Sequence, residues 1–255
     1  MRRHPVRATG KIGRGRDRCK GPEKRERRWR ARAGMIWASP MSRLTLLLGG
    51  DLTRTPALDA EIAGSRIIAA DSGMRHAALL GVTPELWVGD FDSVPPELSD
   101  AYSHVPRRRF PPEKDKTDGE LAIAVALEAG ATSLLLAGAF GGSRPDHMFL
   151  HLAQAIQLSE RGVNAKLTSG RQEGVPLVPG ERRSFEYPQD MLFSILGFSA
   201  LAGLTVEGAK WPLDAVEVPF GSSLTLSNVV DGALAVTLMQ GRALFVAHLS
   251  NDGER

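Results

Sequence analysis

The sequence predicts an α/β protein, a doubly wound and mostly parallel sheet followed by a small antiparallel β-sandwich. From residue 43 to about residue 170, short apolar runs alternate with helix-like stretches, as in a parallel sheet that is covered on both faces. After about residue 175 the segments are short, alternate in hydropathy and are broken by Gly, Pro and Asp. A chain of 255 residues is long enough to bury a core in each part.

The elements of both parts follow from these patterns. In the first part the predicted strands are 43–48, 66–70, 85–89, 132–137 and 164–168, and the predicted helices are 73–81, 95–103, 117–129 and 145–161. Thr117, with Glu120 three residues later, has the pattern of a capping box at a helix start. In the second part the strand-like segments are SFEY, LFSILGF, LTVEGAKW, SLTLSN, ALAVTLMQ and RALFVAHL.

Composition divides the chain into three segments. We expect a disordered basic extension over 1–40, the α/β domain over 41–172 and the β-sandwich over 176–250, with the boundary in SGRQEGVPLVPGERR. Residues 1–34 hold 14 of the 32 Lys and Arg but only three of the 29 acids, so the remaining body is acidic. The acidic body speaks against nucleic-acid binding by bulk charge.

The basic extension has three interpretations that one sequence leaves open. It is a nucleic-acid-binding arm, an organelle-targeting segment, or a stretch upstream of a true start at Met35 or Met41, and the last is favoured because MSRLTLLLGG suits a beginning. No apolar run reaches the length of a membrane span, so no membrane association is expected. The single Cys19 excludes an intrachain disulfide framework and favours a reducing, cytoplasmic setting.

The stretch VGDFDSV contains two carboxylates, Asp90 and Asp92, at the end of a predicted strand. Each alone is most simply a turn former. Strands of an open parallel sheet end at one edge, however, so Asp71 and Asp118 are expected near this pair. Mg²⁺ prefers carboxylate oxygens, water and phosphates as ligands. The pattern therefore favours a Mg²⁺ site over a simple turn.

Two further motifs suit a phosphorylated ligand. In KDKTD, Lys114 is either a surface lysine or a counter-charge to phosphate, and Asp118 either stabilises a helix N-terminus or joins the metal ligands. In GAFGGSRPDH, glycines lie between a strand and a helix, where backbone and helix N-terminus approach phosphates. Arg144 is suited to pairing with phosphate, whereas His147 is as well explained as a cap or a packed side chain. In the β part, Trp211 and LTLSN are, on residues alone, best explained as core and turn.

These motifs, taken in order, resemble the thiamine pyrophosphokinase (thiamin diphosphokinase) family. That family has A-D-G-G, G-D-x-D-S, K-D-x-T-D, G-G-R-x-D-H and a late S-N. Here the corresponding segments are ADSG (70–73), GDFDS (89–93), KDKTD (114–118), GGSRPDH (141–147) and LSN (226–228). The likeness runs from about residue 43 to 248. It departs from the pattern at Ser72, in one extra residue before Asp146-His147, and at His151 where many members have Asn.

The resemblance implies an α/β catalytic domain, a β-sandwich and a homodimer with active sites between subunits. It implies transfer of a pyrophosphoryl group from ATP to thiamine, giving thiamine diphosphate and AMP, with Mg²⁺. The implied catalytic residues are Asp90, Asp92, Lys114 and Asp118, of which Asp90, Asp92 and Asp118 are metal ligands. The implied nucleotide-binding residues are Asp71, Gly73, Lys114, Asp115, Thr117, Gly141, Gly142, Arg144, Asp146 and His147. The implied thiamine-binding residues are Trp211, Thr225, Ser227 and Asn228.

Other activities stay open at this point. A pyrophosphokinase for another alcohol, such as a pterin, would use the same fold, and Trp211 with Ser227-Asn228 favours thiamine. A metal-dependent phosphohydrolase also uses carboxylates at strand ends, but the glycine segment and the β part speak against it. The interpretation as a nucleic-acid-binding protein is supported only by the basic extension.

Overall fold

The first part of the chain alternates strands and helices, as expected. The computed structural model describes residues 42–92, 94–111 and 115–249. The strands are β1 (Ser42–Leu47), β2 (Arg66–Ala70), β3 (Leu86–Gly89), β4 (Arg107–Arg109), β5 (Ala131–Ala137) and β6 (Asn164–Thr168). The helices are α1 (Pro56–Ile62), α2 (Arg75–Leu80), α3 (Pro96–Ala101), α4 (Asp118–Glu128) and α5 (Pro145–Glu160), with a 3₁₀ helix at Asp71–Met74.

These six strands form a parallel sheet in the order β6-β5-β1-β2-β3-β4. The chain winds from β1 outward to β4 and then returns to β5 on the other side of β1. The strand order therefore reverses between β1 and β5. In open α/β sheets, the crevice at the carboxyl ends of two such strands is where ligands bind.

Helices cover both faces of this sheet. Along β1 and its continuation, Leu44, Leu46 and Leu48 belong to one buried cluster, whereas Leu47 belongs to the other. The first cluster holds apolar side chains of α4 and α5, and the second holds those of α1 and α2. Because successive side chains of a strand point to opposite faces, one apolar run supplies both cores.

The second part is antiparallel. Its strands are β7 (Gln172–Leu177), β8 (Arg182–Ser184), β9 (Leu192–Gly197), β10 (Leu201–Ala209), β11 (Leu213–Val218), β12 (Asn228–Thr237) and β13 (Ala243–His248). They enclose a core of their own that includes Phe193, Leu204 and Phe245. β7 pairs with both β6 and β13, so the pairing runs without a break from one part into the other. The predicted fold class is confirmed.

The elements that the sequence did not predict are short or irregular. Helix α1 begins after Thr55, whose side chain accepts a hydrogen bond from the Leu58 N–H at 3.1 Å, and Pro56 occupies its first turn. Strand β4 reads RRR and carries no apolar signal. Strand β11 was also missed, and the segment SLTLSN forms no strand over 223–227, with only its last residue, Asn228, beginning β12. The capping box of Thr117 and Glu120 is confirmed.

The predicted domain limits stay predictions. Residues 1–40 lie outside the described residues. The stretch expected to separate the two parts contains strand β7. None of the helices in 42–92, 94–111 and 115–249 combines the length and hydropathy that crossing a membrane requires.

A partly buried ion network joins the two parts beneath β6 and β7. Lys166 on β6 lies between two carboxylates, with its Nζ 3.1 Å from Glu61 Oε1 and 2.8 Å from Glu173 Oε1. Tyr187 donates its hydroxyl hydrogen to Glu173 Oε2 at 2.9 Å. Burial first, and then Glu173, raises the pKa of Tyr187, so the phenol stays a donor. Lys166 thus compensates two acids from different elements, and Arg43 Nη2 lies 3.8 Å from Glu61 Oε1 as a second, more distant cation.

Replacing Lys166 by Met should destabilise the fold by about 2 kcal/mol, between the values typical of exposed and buried ion pairs, because Glu61 and Glu173 would face each other without their shared cation. Urea unfolding at pH 7 measures this. The exposed pair of Arg182 and Glu207 provides the control, since Arg182→Met should cost less than about 1 kcal/mol. Equal losses for the two variants would contradict the role of Lys166.

Candidate active site

A cavity of about 410 Å³ opens at the carboxyl ends of the parallel strands. It lies where β1 and β5 reverse the strand order, the position that the topology favours for a ligand. Its walls combine glycine-rich turns, carboxylates and two arginines. The lining residues are Gly49, Gly50, Asp71, Ser72, Arg75, Asp90, Asp92, Asp118, Gly141, Gly142, Ser143, Arg144, His147, Met148 and His151.

Three carboxylates meet in this cavity. Asp71 follows β2, Asp90 follows β3 and Asp118 is the first residue of α4; one oxygen of each lies within 4.8 Å of the others. Two like charges at this separation repel by about 1 kcal/mol even in bulk water, and by more where the dielectric constant is lower. A site that gathers three carboxylates is suited to a hard divalent cation.

The loops that carry two of these acids hold unusual backbone conformations. Asp71 has φ 41° and Phe91, between the two aspartates of GDFDS, has φ 67°. Each is fixed by its surroundings: Trp87 Nε1 donates to the Asp71 carbonyl at 2.9 Å, and the Phe91 ring lies edge-on to Trp87. Non-glycine residues in this region cost roughly 1–3 kcal/mol and cluster at functional sites.

The expected ligand set of Asp90, Asp92 and Asp118 differs from the observed cluster in one member. Asp71 stands in the cluster, whereas Asp92 lines the cavity without belonging to it. The turn interpretation of GDFDS also holds in part, because the Asp92 N–H donates to Asp90 Oδ1 at 3.3 Å. The sequence placed Asp71 at the neighbouring strand end but did not rank it above Asp92.

The glycine segments after β1 and β5 are hydrogen-bonded to each other. Gly50 N–H donates to the Gly138 carbonyl at 2.8 Å, and Gly142 N–H donates to Asp51 Oδ2 at 2.9 Å. A Cβ on Gly50 would lie 2.5 Å from the Gly138 and Phe140 carbonyl oxygens, so only glycine fits there. The Gly141 N–H donates a hydrogen bond to Met148 Sδ at 3.3 Å. The N–H groups of Gly141 and Gly142 are thus engaged within the protein, and these glycines shape the wall instead.

Of the remaining residues expected to bind the nucleotide, some line the cavity and others do not. Arg144 and His147 line the cavity, but Arg144 Nε and Nη2 are paired with Asp146 at 3.0 and 2.7 Å. This guanidinium lowers the pKa of the exposed Asp146 carboxyl to about 2. Three others lie outside the lining: Gly73 is buried where a Cβ would collide with the Leu47 carbonyl, Thr117 caps α4, and Asp115 is exposed. Lys114 lies outside the described residues.

Three residues around the cavity were missed as functional candidates. Arg75 and His76 begin α2, and both donate hydrogen bonds to the glycine turn after β1. Burial lowers the pKa of His76, so its imidazole is a neutral donor to the Gly50 carbonyl. His151 on α5 is only 5 % exposed, and its Nδ1 has no hydrogen-bond partner among the described residues. The sequence offered one signal, the position of Arg75-His76 two residues after the end of ADSG.

The pKa of His151 predicts a pH-dependent stability. Burial, and secondarily the neighbouring His147, lowers this pKa from 6.5 to about 4. Between these values the unfolded chain binds more protons than the folded one, so the free energy of unfolding rises with pH. The contribution, up to about 3 kcal/mol, is fully present above pH 6.5 and is lost as pH falls to 4.

Replacing His151 by Asn should therefore reduce the dependence of stability on pH between about 4 and 6.5, because one of the two buried histidines with a lowered pKa in the described part of the chain is gone and only His76 remains. Urea unfolding at several pH values measures this. The exposed Gln157 on the same helix provides the control, and Gln157→Asn should leave the slope unchanged because neither side chain titrates. A wild-type slope in His151→Asn would contradict the assignment.

The four thiamine-side residues lie in the β part, and none lines the cavity. Thr225 and Asn228 are buried and bonded internally: Thr225 Oγ1 donates to the Ile195 carbonyl at 2.7 Å, and Asn228 Nδ2 donates to the Trp211 carbonyl at 2.8 Å. Ser227 is exposed with φ 59°. Trp211 is 54 % exposed, with Lys210 Nζ 4.9 Å from its ring centre. Trp211 is therefore not a core residue.

Two protein-family models match this chain. Residues 62–167 match "Thiamin pyrophosphokinase, catalytic domain", and residues 185–241 match "Thiamin pyrophosphokinase, vitamin B1 binding domain". The chain is also 28% identical over 200 residues to the thiamine pyrophosphokinase of Bacillus subtilis, across 74% of this chain and 89% of that protein.

Solved structures share the fold. The crystal structure of thiamine pyrophosphokinase from Bacillus subtilis superposes with a TM-score of 0.71 at 22% identity, covering 82% of this chain and all of the other. Thiamin pyrophosphokinase from Candida albicans gives a TM-score of 0.71 at 15% identity, covering 82% and 90%. At these sequence identities the two structures support a shared fold and nothing more specific.

The fold and the cavity define an α/β enzyme with a carboxylate cluster at the switch point of its sheet. The two family models lie in order on the two structural parts, one on the parallel sheet and one on the antiparallel strands. The chain belongs to the thiamin pyrophosphokinase family.

Proposed function

We propose that this enzyme transfers a pyrophosphoryl group from ATP to the hydroxyethyl group of thiamine. The thiamine oxygen forms a bond to the β-phosphorus, the bond from that phosphorus to the α-phosphate oxygen breaks, and AMP leaves. The products are thiamine diphosphate, AMP and the proton of the hydroxyl group. The observation that carries the proposal is the cluster of Asp71, Asp90 and Asp118 in a glycine-walled cavity of a chain that matches both family domains.

The carboxylate cluster fits Mg²⁺, which takes oxygen ligands and keeps positions for substrate phosphates. Asp90 and Asp118 belong both to the set expected from the motifs and to the observed cluster, and we assign them as ligands. Asp71 joins them on geometry, and Asp92 lies on the same cavity wall. When bound, Mg²⁺ offsets the charge of phosphate oxygens as the reaction proceeds.

The protein's own groups position the reactants. The joined glycine turns leave open space beside the carboxylates, and the first turns of α5 line the same space. Arg144, held by Asp146, supplies a guanidinium at this rim. A carboxylate of the site accepts the hydroxyl proton, since a primary alcohol does not ionise near neutral pH. Holding the two reactants in line supplies much of the rate enhancement in reactions of this kind.

We propose that thiamine is bound by the β part of a second copy of the chain. The residues expected to hold thiamine do not line the cavity of their own chain. The β part instead exposes large apolar side chains between residues 211 and 226, of which Phe220 is 71 % exposed. The exposed apolar residues of this region are Trp211, Phe220, Leu224 and Leu226. A two-fold homodimer would cover such a surface and bring it to a partner's cavity. We place this reaction in the cytoplasm, which the single Cys19 favours.

The test is an assay of the purified full chain with ATP, Mg²⁺ and thiamine, scored by chromatography for thiamine diphosphate and AMP. We expect both products in equal amounts. Release of ADP would indicate a single-phosphoryl transfer, and phosphate release without thiamine would indicate a phosphohydrolase. Product formation with a pterin alcohol but not with thiamine would move the activity to that substrate. Each of these results would overturn the proposal.

A further inference from the structure

Arg75 lies on the cavity wall next to the first glycine turn. It is the first residue of α2, and its side chain is exposed. Its Nη2 donates to the Gly49 carbonyl at 2.6 Å and to the Gly50 carbonyl at 3.0 Å. Both glycines also line the cavity. The guanidinium is therefore fixed at the carboxyl end of β1, where the strand order reverses.

Most of this guanidinium remains available for a ligand. An arginine has five N–H donors, and only Nη2 is engaged by the two carbonyl groups. Within 42–92, 94–111 and 115–249, Nε and Nη1 of Arg75 make no hydrogen bond and no carboxylate pairs with this side chain. Arg144, the other cavity arginine, differs because Asp146 occupies its Nε and Nη2. The Nε and Nη1 groups of Arg75 can thus donate to a ligand, whereas the Nε and Nη2 groups of Arg144 already donate to Asp146.

The charges around Arg75 point to an anion. Four carboxylates line the same cavity as Arg75: Asp71, Asp90, Asp92 and Asp118. A carboxylate ligand would be repelled there, whereas a polyphosphate brought with a divalent cation is compatible with both signs of charge. A planar guanidinium pairs bidentately with phosphate oxygens and remains charged at all relevant pH values.

We propose that Arg75 binds a phosphate group of the nucleotide and contributes to selection of a polyphosphorylated substrate. This inference rests on the proposed function, which places ATP in the same cavity. Arg75 acts by direct contact with the phosphate, and the carbonyl groups of Gly49 and Gly50 hold its guanidinium in place.

A purely structural role for Arg75 would be to hold the glycine turn. The turn, however, has other attachments. Gly50 N–H donates to Gly138, and the Gly50 carbonyl also accepts from His76 Nε2 at 3.0 Å. Asp51 N–H donates to the Phe140 carbonyl at 2.7 Å. Because these bonds persist without Arg75, its removal should leave the turn in place and take away mainly the charge.

The experiment compares Arg75→Gln and Arg75→Lys with the wild-type chain. Calorimetry gives the Kd of ATP, AMP and adenosine with Mg²⁺ present, and steady-state kinetics give both KM values. We expect Arg75→Gln to weaken ATP binding about 10- to 100-fold, the range of a lost charge-assisted hydrogen bond. Adenosine binding and the KM for thiamine should change less than about twofold, and Arg75→Lys should recover part of the loss.

The matched control is Arg161→Gln, at the other end of α5 from the cavity and about 24 Å along that helix. It should bind ATP like the wild type. Equal weakening of ATP and adenosine, or a lowered Tm with both KM values raised, would assign Arg75 a structural role and overturn the inference. Unchanged ATP binding in Arg75→Gln would also overturn it.

The two proposals fail in different ways. If the wild-type chain binds ATP but makes no thiamine diphosphate, the proposed reaction is wrong. The ATP affinities of the Arg75 variants still show in that case whether Arg75 contacts a phosphate group. If wild type binds neither ATP nor AMP, both proposals are wrong.

Discussion

Replacing Asp118 by Asn is expected to lower kcat for thiamine diphosphate formation at least about 100-fold. Mutation of a residue that only hydrogen-bonds to a metal ligand already lowers metal affinity or activity by about 10- to 100-fold. The physical reason is loss of one of three carboxylates that lie within 4.8 Å of one another. The variant should fold normally, because Asn keeps the shape of Asp and removes like-charge repulsion. Chromatographic assay at saturating ATP and thiamine measures the change, and thermal unfolding with and without Mg²⁺ reports the metal.

Asp90→Asn should behave in the same way, whereas Asp100→Asn, on the exposed face of α3, should match the wild type in activity. We expect Mg²⁺ to raise the Tm of the wild type and of Asp100→Asn but not of the two cluster variants. Near-wild-type activity in Asp118→Asn would show that the cluster is not the reaction site.

The roles of Asp71 and Asp92 as metal ligands can be distinguished by the Mg²⁺ concentration that Asp71→Asn and Asp92→Asn require for activity. The geometry predicts that Asp71→Asn shifts this requirement upward more than Asp92→Asn, because only Asp71 lies in the cluster. The opposite order would restore the ligand set that the motifs alone suggested.

Replacing Trp211 by Ala is expected to raise the KM for thiamine about 30-fold, the effect of losing an aromatic contact worth about 2 kcal/mol. The indole is 54 % exposed in the single chain, so its removal should cost little stability. The KM for ATP should remain unchanged because Trp211 does not line the cavity. Phe149→Ala, another exposed aromatic, is the control and should leave the KM for thiamine unchanged. A Trp211→Ala enzyme with normal KM for thiamine would contradict the assignment.

Mixing Asp118→Asn with Trp211→Ala tests the homodimer directly. If the cavity of one chain works with the β part of its partner, random re-pairing should restore about a quarter of wild-type activity at low thiamine concentration, through dimers with one intact site. Light scattering should show two chains per particle. No recovery from a mixture that demonstrably exchanges subunits would confine each site to one chain.

Most of the parallel sheet could be predicted because its central strands contain short runs of buried apolar residues. Strands such as ATSLLLA over Ala131–Ala137 are buried on both faces, and the apolar run stands out from the helices between them. The missed elements lack that signal. Strand β4 is three arginines at the sheet edge, where Arg107 and Arg109 stack on Phe91 instead of entering a core. SLTLSN alternates like a strand, yet Thr225 and Asn228 direct their side chains to the backbone of other segments.

The candidate site could be predicted in composition but not in arrangement. Motifs placed Asp71, Asp90 and Asp118 at one edge, because parallel strands end together. They did not separate Asp71 from Asp92, since that depends on the left-handed backbone of Asp71 and Phe91. Arg75 was missed because its partners are the carbonyl groups of Gly49 and Gly50, and backbone partners leave no trace in the side-chain sequence.

The unbroken pairing from β6 through β7 to β13 has a mechanical consequence. A truncation after residue 171 would leave β6 with an open edge, and would remove Glu173 from its contact with Lys166. The two parts therefore cannot hinge about a flexible linker as separate modules do. We therefore expect closure around a bound substrate to come from the turns at the cavity rim, or from movement between the two chains of the proposed homodimer.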